Sequence, residues 1–110
     1  MVIAHYPFFE GRTDPKFNIE REIYEEWCRM LRENVHPQVL LFGHNHHLYV
    51  SYPGKPDNAS EIPCAAVVAS LPQENPDLFA GAGLVFSQKG IEVLFTDQDK
   101  KVLEKTLLPL

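Results

Sequence analysis

Two short apolar runs, each followed within two residues by a histidine, constrain the fold of this chain more than any other feature. The first is VIAHYP, residues 2–7, and the second is VLLFGHNH, residues 39–46. Each begins as a buried strand, and a helix-length stretch lies between them. A strand, a helical crossover and a second strand normally make the two strands parallel neighbours in one sheet. The sequence therefore predicts that His5 lies beside His44.

The stretch between the two strands predicts one long amphipathic helix. Apolar residues recur at helical spacing from Ile19 to about Asn34, and Pro37 follows at a position where a proline can end a helix. We expect the Trp27 and Met30 stripe to face the core. The opposite face, which we expect to be solvated, carries Glu20, Arg21, Glu25, Glu26, Arg29 and Arg32.

The remainder of the chain is rich in strand patterns. LYVSY predicts a strand directly after the second histidine segment. The segments CAAVVAS, GAGLVFS, IEVLFTD and KVLEKTLL then predict an antiparallel meander, with turns at Lys89-Gly90 and at residues 97–100. The predicted class is α/β, with a mixed sheet, one long amphipathic helix and a C-terminal antiparallel meander.

Composition excludes several classes of function. The formal net charge of -5 argues against binding to the phosphate backbone of nucleic acids, which requires clustered Lys and Arg. No apolar run approaches the ~18 residues that span a membrane. Cys28 and Cys64 are far apart in sequence, so we expect buried free thiols and a cytoplasmic location rather than a disulfide framework.

Three histidines in four positions follow the second predicted strand. His44 and His46 would project to the same side of an extended segment and reach one metal, and imidazole is the commonest nitrogen ligand of transition metals. Gly43 would let the backbone turn sharply at the end of the strand. We expect His47 to point to the opposite side, and His36 to have no chemical role.

A His-x-His pair also occurs in other folds. Cupin-type barrels follow the pair with a glutamate a few residues later, but residues 48–51 here are Leu, Tyr, Val and Ser. Histidine-triad nucleotide hydrolases alternate a third histidine, whereas position 48 is leucine. Neither pattern fits this chain.

Taken together, the two histidine segments resemble the last two signature blocks of the calcineurin-like metallophosphoesterase superfamily. In that family a histidine follows one strand and Gly-His-x-His follows the next. Here these blocks are His5 in AHYP and Gly43-His44-Asn45-His46. The helix between them and the strand-rich remainder are also similar to the C-terminal half of that family. The resemblance implies that residues 1–110 form a single partial domain, half of a β-sandwich flanked by helices.

The resemblance also implies roles for individual residues. His5 and His44 would bind one metal of a dinuclear centre, and His46 would bind the other. The ions would be divalent Mn, Fe, Zn, Ni or Co. In the family the two metals activate a water that attacks the phosphorus of a phosphate mono- or diester, and they stabilise the charge on its oxygens. Tyr6 and His47 are the candidates for contact with that substrate.

The earlier blocks of the family, Asp-x-His, Gly-Asp and Gly-Asn-His, do not occur in this sequence. The bridging aspartate and the general acid that protonates the leaving group are therefore expected in a missing N-terminal half. The first hypothesis is a phosphoesterase fragment that is inactive alone. The second is a non-catalytic metal-binding or assembly module derived from that fold. Half a sandwich leaves a sheet face or edge uncovered, so we expect homo-oligomers or pairing with the missing half.

Overall fold

The computed structural model describes residues 1–5, 21–43, 46–53, 64–70, 75 and 77–109, and only the backbone of residues 21–24. These residues form a mixed α/β fold with two sheets and one short helix. The elements in chain order are β1 (Val2–Ala4), α1 (Arg21–Met30), a π-helical segment (Leu31–Val35), β2 (Val39–Phe42), β3 (Leu48–Ser51), β4 (Ala65–Ala69), β5 (Gly81–Ser87), β6 (Gly90–Thr96) and β7 (Val102–Leu108).

The first sheet, called the mixed sheet below, has the strand order β1-β2-β4-β3. Strands β1, β2 and β4 are parallel, and β3 runs antiparallel to β4. Ala4 pairs with Phe42 at the carboxyl ends of β1 and β2. This register confirms that the two strands preceding the histidines are parallel neighbours. The strand predicted in LYVSY is confirmed as β3.

The position of β4 corrects the predicted meander. The segment CAAVVAS was expected to open that meander, but β4 lies in the mixed sheet between β2 and β3. It is buried on both faces, with Ala66 and Val68 on one side and Val67 on the other. A continuous apolar run of this kind suits an inner strand of a parallel sheet, which has both faces covered.

The second sheet, called the antiparallel sheet below, is the meander β5-β6-β7. Its second turn lies within residues 97–100, as predicted, but its first turn is Gln88-Lys89, one residue before the predicted Lys89-Gly90, because Gly90 already belongs to β6. In the second turn one carboxylate oxygen of Asp97 accepts hydrogen bonds from the backbone N–H groups of Asp99 and Lys101, both at 2.9 Å. Lys100 adopts a left-handed backbone with a φ of 64°.

The hydrophobic core forms two layers, one on each face of the mixed sheet. The helix-side layer lies between that sheet and α1. Its buried members are Cys28, Leu31, Leu40, Phe42, Cys64, Ala66 and Val68. The inner layer joins the mixed sheet to the antiparallel sheet. Its buried members are Val39, Ala65, Val67, Ile91, Val93, Phe95 and Leu108.

The helix differs from its prediction in length and in type. The α-helical part ends at Met30, and residues Leu31–Val35 continue as a π-helix. His36 then ends the helical run in a left-handed conformation, and its N–H donates to the Leu31 carbonyl at 2.8 Å. The predicted start at residues 19–20 lies outside the described residues. No helix in the described part of the chain is long and apolar enough to cross a membrane.

The prediction that Trp27 and Met30 face the core is wrong. Their exposed fractions are 39% and 41%, whereas Cys28 and Leu31 are buried against the mixed sheet. The buried face of the helix is therefore rotated by about one residue from the expected stripe.

Glu25, Glu26 and Arg29 of the charged face are exposed, and Arg32 is half-buried. Arg29 forms an ion pair with Glu26 at 2.7 Å. Glu20 and the side chain of Arg21 lie outside the described part of the helix.

Both cysteines are buried free thiols, as the sequence predicts. They belong to the same helix-side layer. Burial raises the pKa of the Cys64 thiol from its ordinary value of 9.0 to about 11, and the positive charge of the chain's amino terminus opposes part of that rise. Cys64 is therefore protonated at neutral pH and is a poor nucleophile.

The raised pKa of Cys64 predicts a loss of stability in alkaline solution. The unfolded thiol ionises near pH 9, whereas the folded thiol ionises only near 11. The folded state thus holds more protons in that window, and the free energy of unfolding falls as pH rises through it, by about 2 kcal/mol from this group. We expect urea titrations at pH 8.5 and 11 to show a smaller decrease for Cys64→Ala than for the wild type. Equal decreases in both proteins would contradict this assignment.

Candidate functional site

The carboxyl ends of the three parallel strands lie at one edge of the mixed sheet. The residues that directly follow β1, β2 and β4 are His5, Gly43 and Ser70. Strand β3 runs the other way and begins at this same edge, so His47 also lies there. In open α/β sheets this edge is where ligands bind. We call it the histidine edge, defined by His5, Gly43, His46, His47 and Ser70.

His5 lies directly beside Gly43. The Gly43 N–H donates to the His5 carbonyl oxygen at 3.1 Å, which continues the β1–β2 pairing one residue past the strands. A Cβ built on Gly43 would lie 3.7 Å from Nδ1 of His5, which is an ordinary van der Waals distance. The imidazole of His5 therefore stands next to the backbone that leads into residue 44. His44 itself lies outside the described residues.

The other side of the histidine edge is closed by β3 and β4. The Ser70 N–H donates to the His47 carbonyl oxygen at 3.2 Å, one residue beyond the β3–β4 pairing at Leu48 and Ala69. The backbone of His47 is thereby fixed at this edge, while its side chain is exposed. Hydrogen bonds of the backbone thus hold both ends of the histidine segment, Gly43 at one end and His47 at the other.

The backbone at His46 corrects one step of the sequence argument. His46 has a φ of 55°, so it is left-handed and lies in a bend. The inference that residues 44 and 46 project to the same side required an extended segment, and the segment is not extended at His46. Gly43, expected to make the sharp turn, does not have a positive φ. Among the described residues of this segment, the left-handed residue is therefore His46 and not Gly43.

The histidine edge is open to solvent and carries imidazole nitrogens that can act as metal ligands. The residues His5, His46 and His47 are all exposed. The described residues, which do not include 44 and 45, contain no group of three His, Cys, Asp or Glu side chains close enough together to bind one metal ion. Among the described residues, those that directly follow or precede a strand at this edge include no carboxylate. Imidazoles at such a site suit a transition metal, and a hard cation would lack its oxygen ligands.

Two residues bear on how well the sequence predicted the site. Tyr6, a candidate for substrate contact, lies outside the described residues. Ser70 was missed because its strand was assigned to the meander. The available signal was that CAAVVAS is an unbroken apolar run ending in a hydroxyl residue, a pattern that also fits a parallel strand with a polar residue at its carboxyl end.

The sequence was compared with models of protein families and with curated proteins. The sequence matches no model of a protein family and no curated protein. The functional argument therefore depends on the residues of the histidine edge.

Proposed function

We propose that this chain is the histidine-bearing half of a metal-dependent phosphoesterase of the calcineurin-like class. It would contribute to hydrolysis of a phosphate mono- or diester once joined to the half that carries the carboxylates. The single observation that supports the proposal is the position of His5 beside Gly43, at the carboxyl ends of two parallel strands. In this proposal the two packed sheets and the helix would form half of the sandwich expected for that family.

In this proposal His5, His44 and His46 are the metal ligands. The donor set fits a transition metal in the nature of its atoms, since neutral imidazole binds Mn, Fe, Zn, Ni and Co. It is incomplete for two metals, because a dinuclear site also needs bridging carboxylates. When bound, the metals would lower the pKa of a water and neutralise charge on the phosphoryl oxygens. The exposed position of His5 leaves room for the missing ligands and for substrate.

The proposal therefore assigns metal binding to this chain, and no hydrolysis of phosphate esters by this chain alone. His5 and the histidine segment would hold one metal ion weakly, with water filling the remaining positions. The general acid belongs to the missing half, so the chain alone should release no appreciable product from a phosphate ester in the presence of added Mn²⁺.

Metal binding by purified protein tests this proposal. We expect Co²⁺ or Zn²⁺ to bind the wild type, and we expect His5→Ala and His44→Ala each to weaken binding by at least about tenfold, because each removes one imidazole. Isothermal titration and metal analysis after dialysis measure the change. The matched control is His36→Asn, which removes an imidazole before the amino end of β2, whereas the histidine edge lies at the carboxyl end of that strand. Asparagine also tolerates the left-handed backbone of His36.

Two results would contradict the proposal. Unchanged metal content in both His5→Ala and His44→Ala would remove the site assignment. Robust turnover of a phosphate ester that is lost in His44→Ala would show that the chain needs no second half.

The second candidate function is a non-catalytic assembly module. One observation favours it over a simple fragment: the chain exposes an uncharged edge strand, β5, that lies away from the histidine edge in the other sheet.

A further inference from the structure

We propose that two copies of this chain associate through β5, which pairs antiparallel with the β5 of the second copy to form one six-stranded sheet. The proposal is independent of the phosphoesterase hypothesis, because no residue of β5 belongs to the histidine edge.

Strand β5 is an edge strand without protection. It is seven residues long, contains no charged residue and no proline, and among the described residues pairs only with β6. Val85 and Phe86 are 51% and 58% exposed, and Phe79, two residues before the strand, is 61% exposed. A long, uncharged and apolar edge of this kind is a template for pairing with another strand.

The opposite edge of the same sheet shows the contrast. Strand β7 carries Glu104 and Lys105, and its pairing with β6 contains a register shift between Phe95 and Thr96. Lys105 also forms an ion pair with Glu92 at 2.9 Å. Charged side chains and an irregular register are the features that keep an edge strand from pairing.

The edges of the mixed sheet are shorter. Strand β1 has three residues and β3 has four. Strand β5 therefore offers the longest unprotected edge among the described elements.

The side chains of β5 are complementary in size when two copies of the strand pair antiparallel. Antiparallel pairing centred on Leu84 places Gly83 opposite Val85 of the other copy, and Ala82 opposite its Phe86. The small residues of the first half thus lie opposite the large residues of the second half, with directly opposed side chains on the same face. Gly81 has open space where a side chain would be, and the nearest atom to a Cβ on Gly83 is 4.0 Å away.

The absence of charge on β5 permits a second copy at this strand. Each chain has a formal net charge of -5, so contact through most of its surface brings like charges together. Pairing through GAGLVFS brings no charged side chain opposite another. The residue facing inward at the end of the strand, Phe86, would be covered by the second copy.

The oligomeric state in solution tests the proposal. We expect sedimentation equilibrium and light scattering to give twice the mass of one chain for the wild type. The double variant Gly83→Lys/Val85→Lys places a lysine directly opposite a lysine at two positions of the pair, which is destabilising. We expect its dissociation constant to rise by at least about tenfold, equivalent to about 1.4 kcal/mol. Far-UV circular dichroism checks that it remains folded. If it does not, Val85→Lys alone replaces it; this lysine faces Gly83 of the other copy, and it opposes pairing because a charged residue on an edge strand does so.

Leu107→Lys is the matched control. Leu107 and Val85 both pair with Glu92, they lie on the same face, and both are 51% exposed. Lys105 is already a lysine and pairs with Leu94, as Gly83 does on the other side. Leu107→Lys therefore gives β7 the same two lysines that the double variant gives β5. The dimer should persist, because β7 takes no part in the proposed pairing.

Three outcomes would overturn the proposal. The first is a wild type that stays monomeric at all concentrations measured. The second is a double variant as dimeric as the wild type. The third is dissociation by Ile3→Lys on the β1 edge, with the β5 variant still dimeric.

Discussion

Replacing Gly90 by alanine should lower the free energy of unfolding by about 3 kcal/mol or more. Gly90 begins β6 with a φ of 142°, a conformation that residues with a Cβ rarely adopt. A Cβ at this position would lie 2.2 Å from the carbonyl oxygen of Leu108. Since the clash is with backbone, no side-chain rotation relieves it. The end of β7 must move away from Ile91, which pairs with Leu108 and is buried beside it.

Urea denaturation followed by circular dichroism measures this loss. Gly81→Ala is the matched control, because Gly81 lies in the neighbouring strand, has no atom within 4 Å of a built Cβ, and does not have a positive φ. We expect that control to change stability by no more than about 0.5 kcal/mol. Equal stabilities for the two alanine variants would contradict the assigned close approach of Gly90 and Leu108.

Phe95→Ala should be the most damaging truncation in the inner layer. Phe95 is 1% exposed and packs in the cluster that joins the two sheets, together with Val39 and Val67 of the mixed sheet. Truncation of a buried phenylalanine costs about 3 to 5 kcal/mol, since it removes apolar contacts and leaves a cavity. Native domains are stable by only about 5 to 15 kcal/mol, so this variant loses a large part of its stability.

Thermal and urea unfolding check the size of the loss. Phe79→Ala makes the same chemical change at a side chain that is 61% exposed, and it should cost less than about 1 kcal/mol. If Phe95→Ala does not fold, Phe95→Leu removes less volume and keeps the comparison measurable. A Phe95 variant no less stable than the Phe79 variant would mean that the two sheets do not share this core.

The sequence predicted the part of the candidate site that follows from local pattern and chirality. A strand, a crossover with a helix and a second strand permit few arrangements, so the sequence predicted the parallel pairing of β1 with β2, which places His5 beside Gly43. The predicted neighbour of His5, His44, lies outside the described residues. The choice of partner for β4 could not be expected in the same way. The sequence of an apolar strand does not specify which neighbouring strands it pairs with. In the folded chain β4 lies between β2 and β3, where both of its faces are buried.

Two other differences have physical causes that the sequence pattern does not contain. The apolar stripe of α1 is wide, so its period does not decide whether Trp27 or Cys28 faces the sheet. The left-handed backbone of His46 lies at a residue type that adopts it less often than glycine, so Gly43 was the natural prediction for the turn. Both are decided by tertiary contacts.

The separation between paired residues differs greatly in the two sheets. In the antiparallel sheet Ser87 pairs with Gly90, three positions along the chain, whereas Ala4 must find Phe42, 38 positions away. Closing a long loop costs entropy before any contact repays it, so local hairpins form early and distant parallel pairs form late. We therefore expect the hairpins of the meander to form before the parallel pairing of β1 with β2. On this expectation the contact between His5 and Gly43 forms late in folding, after the local hairpins.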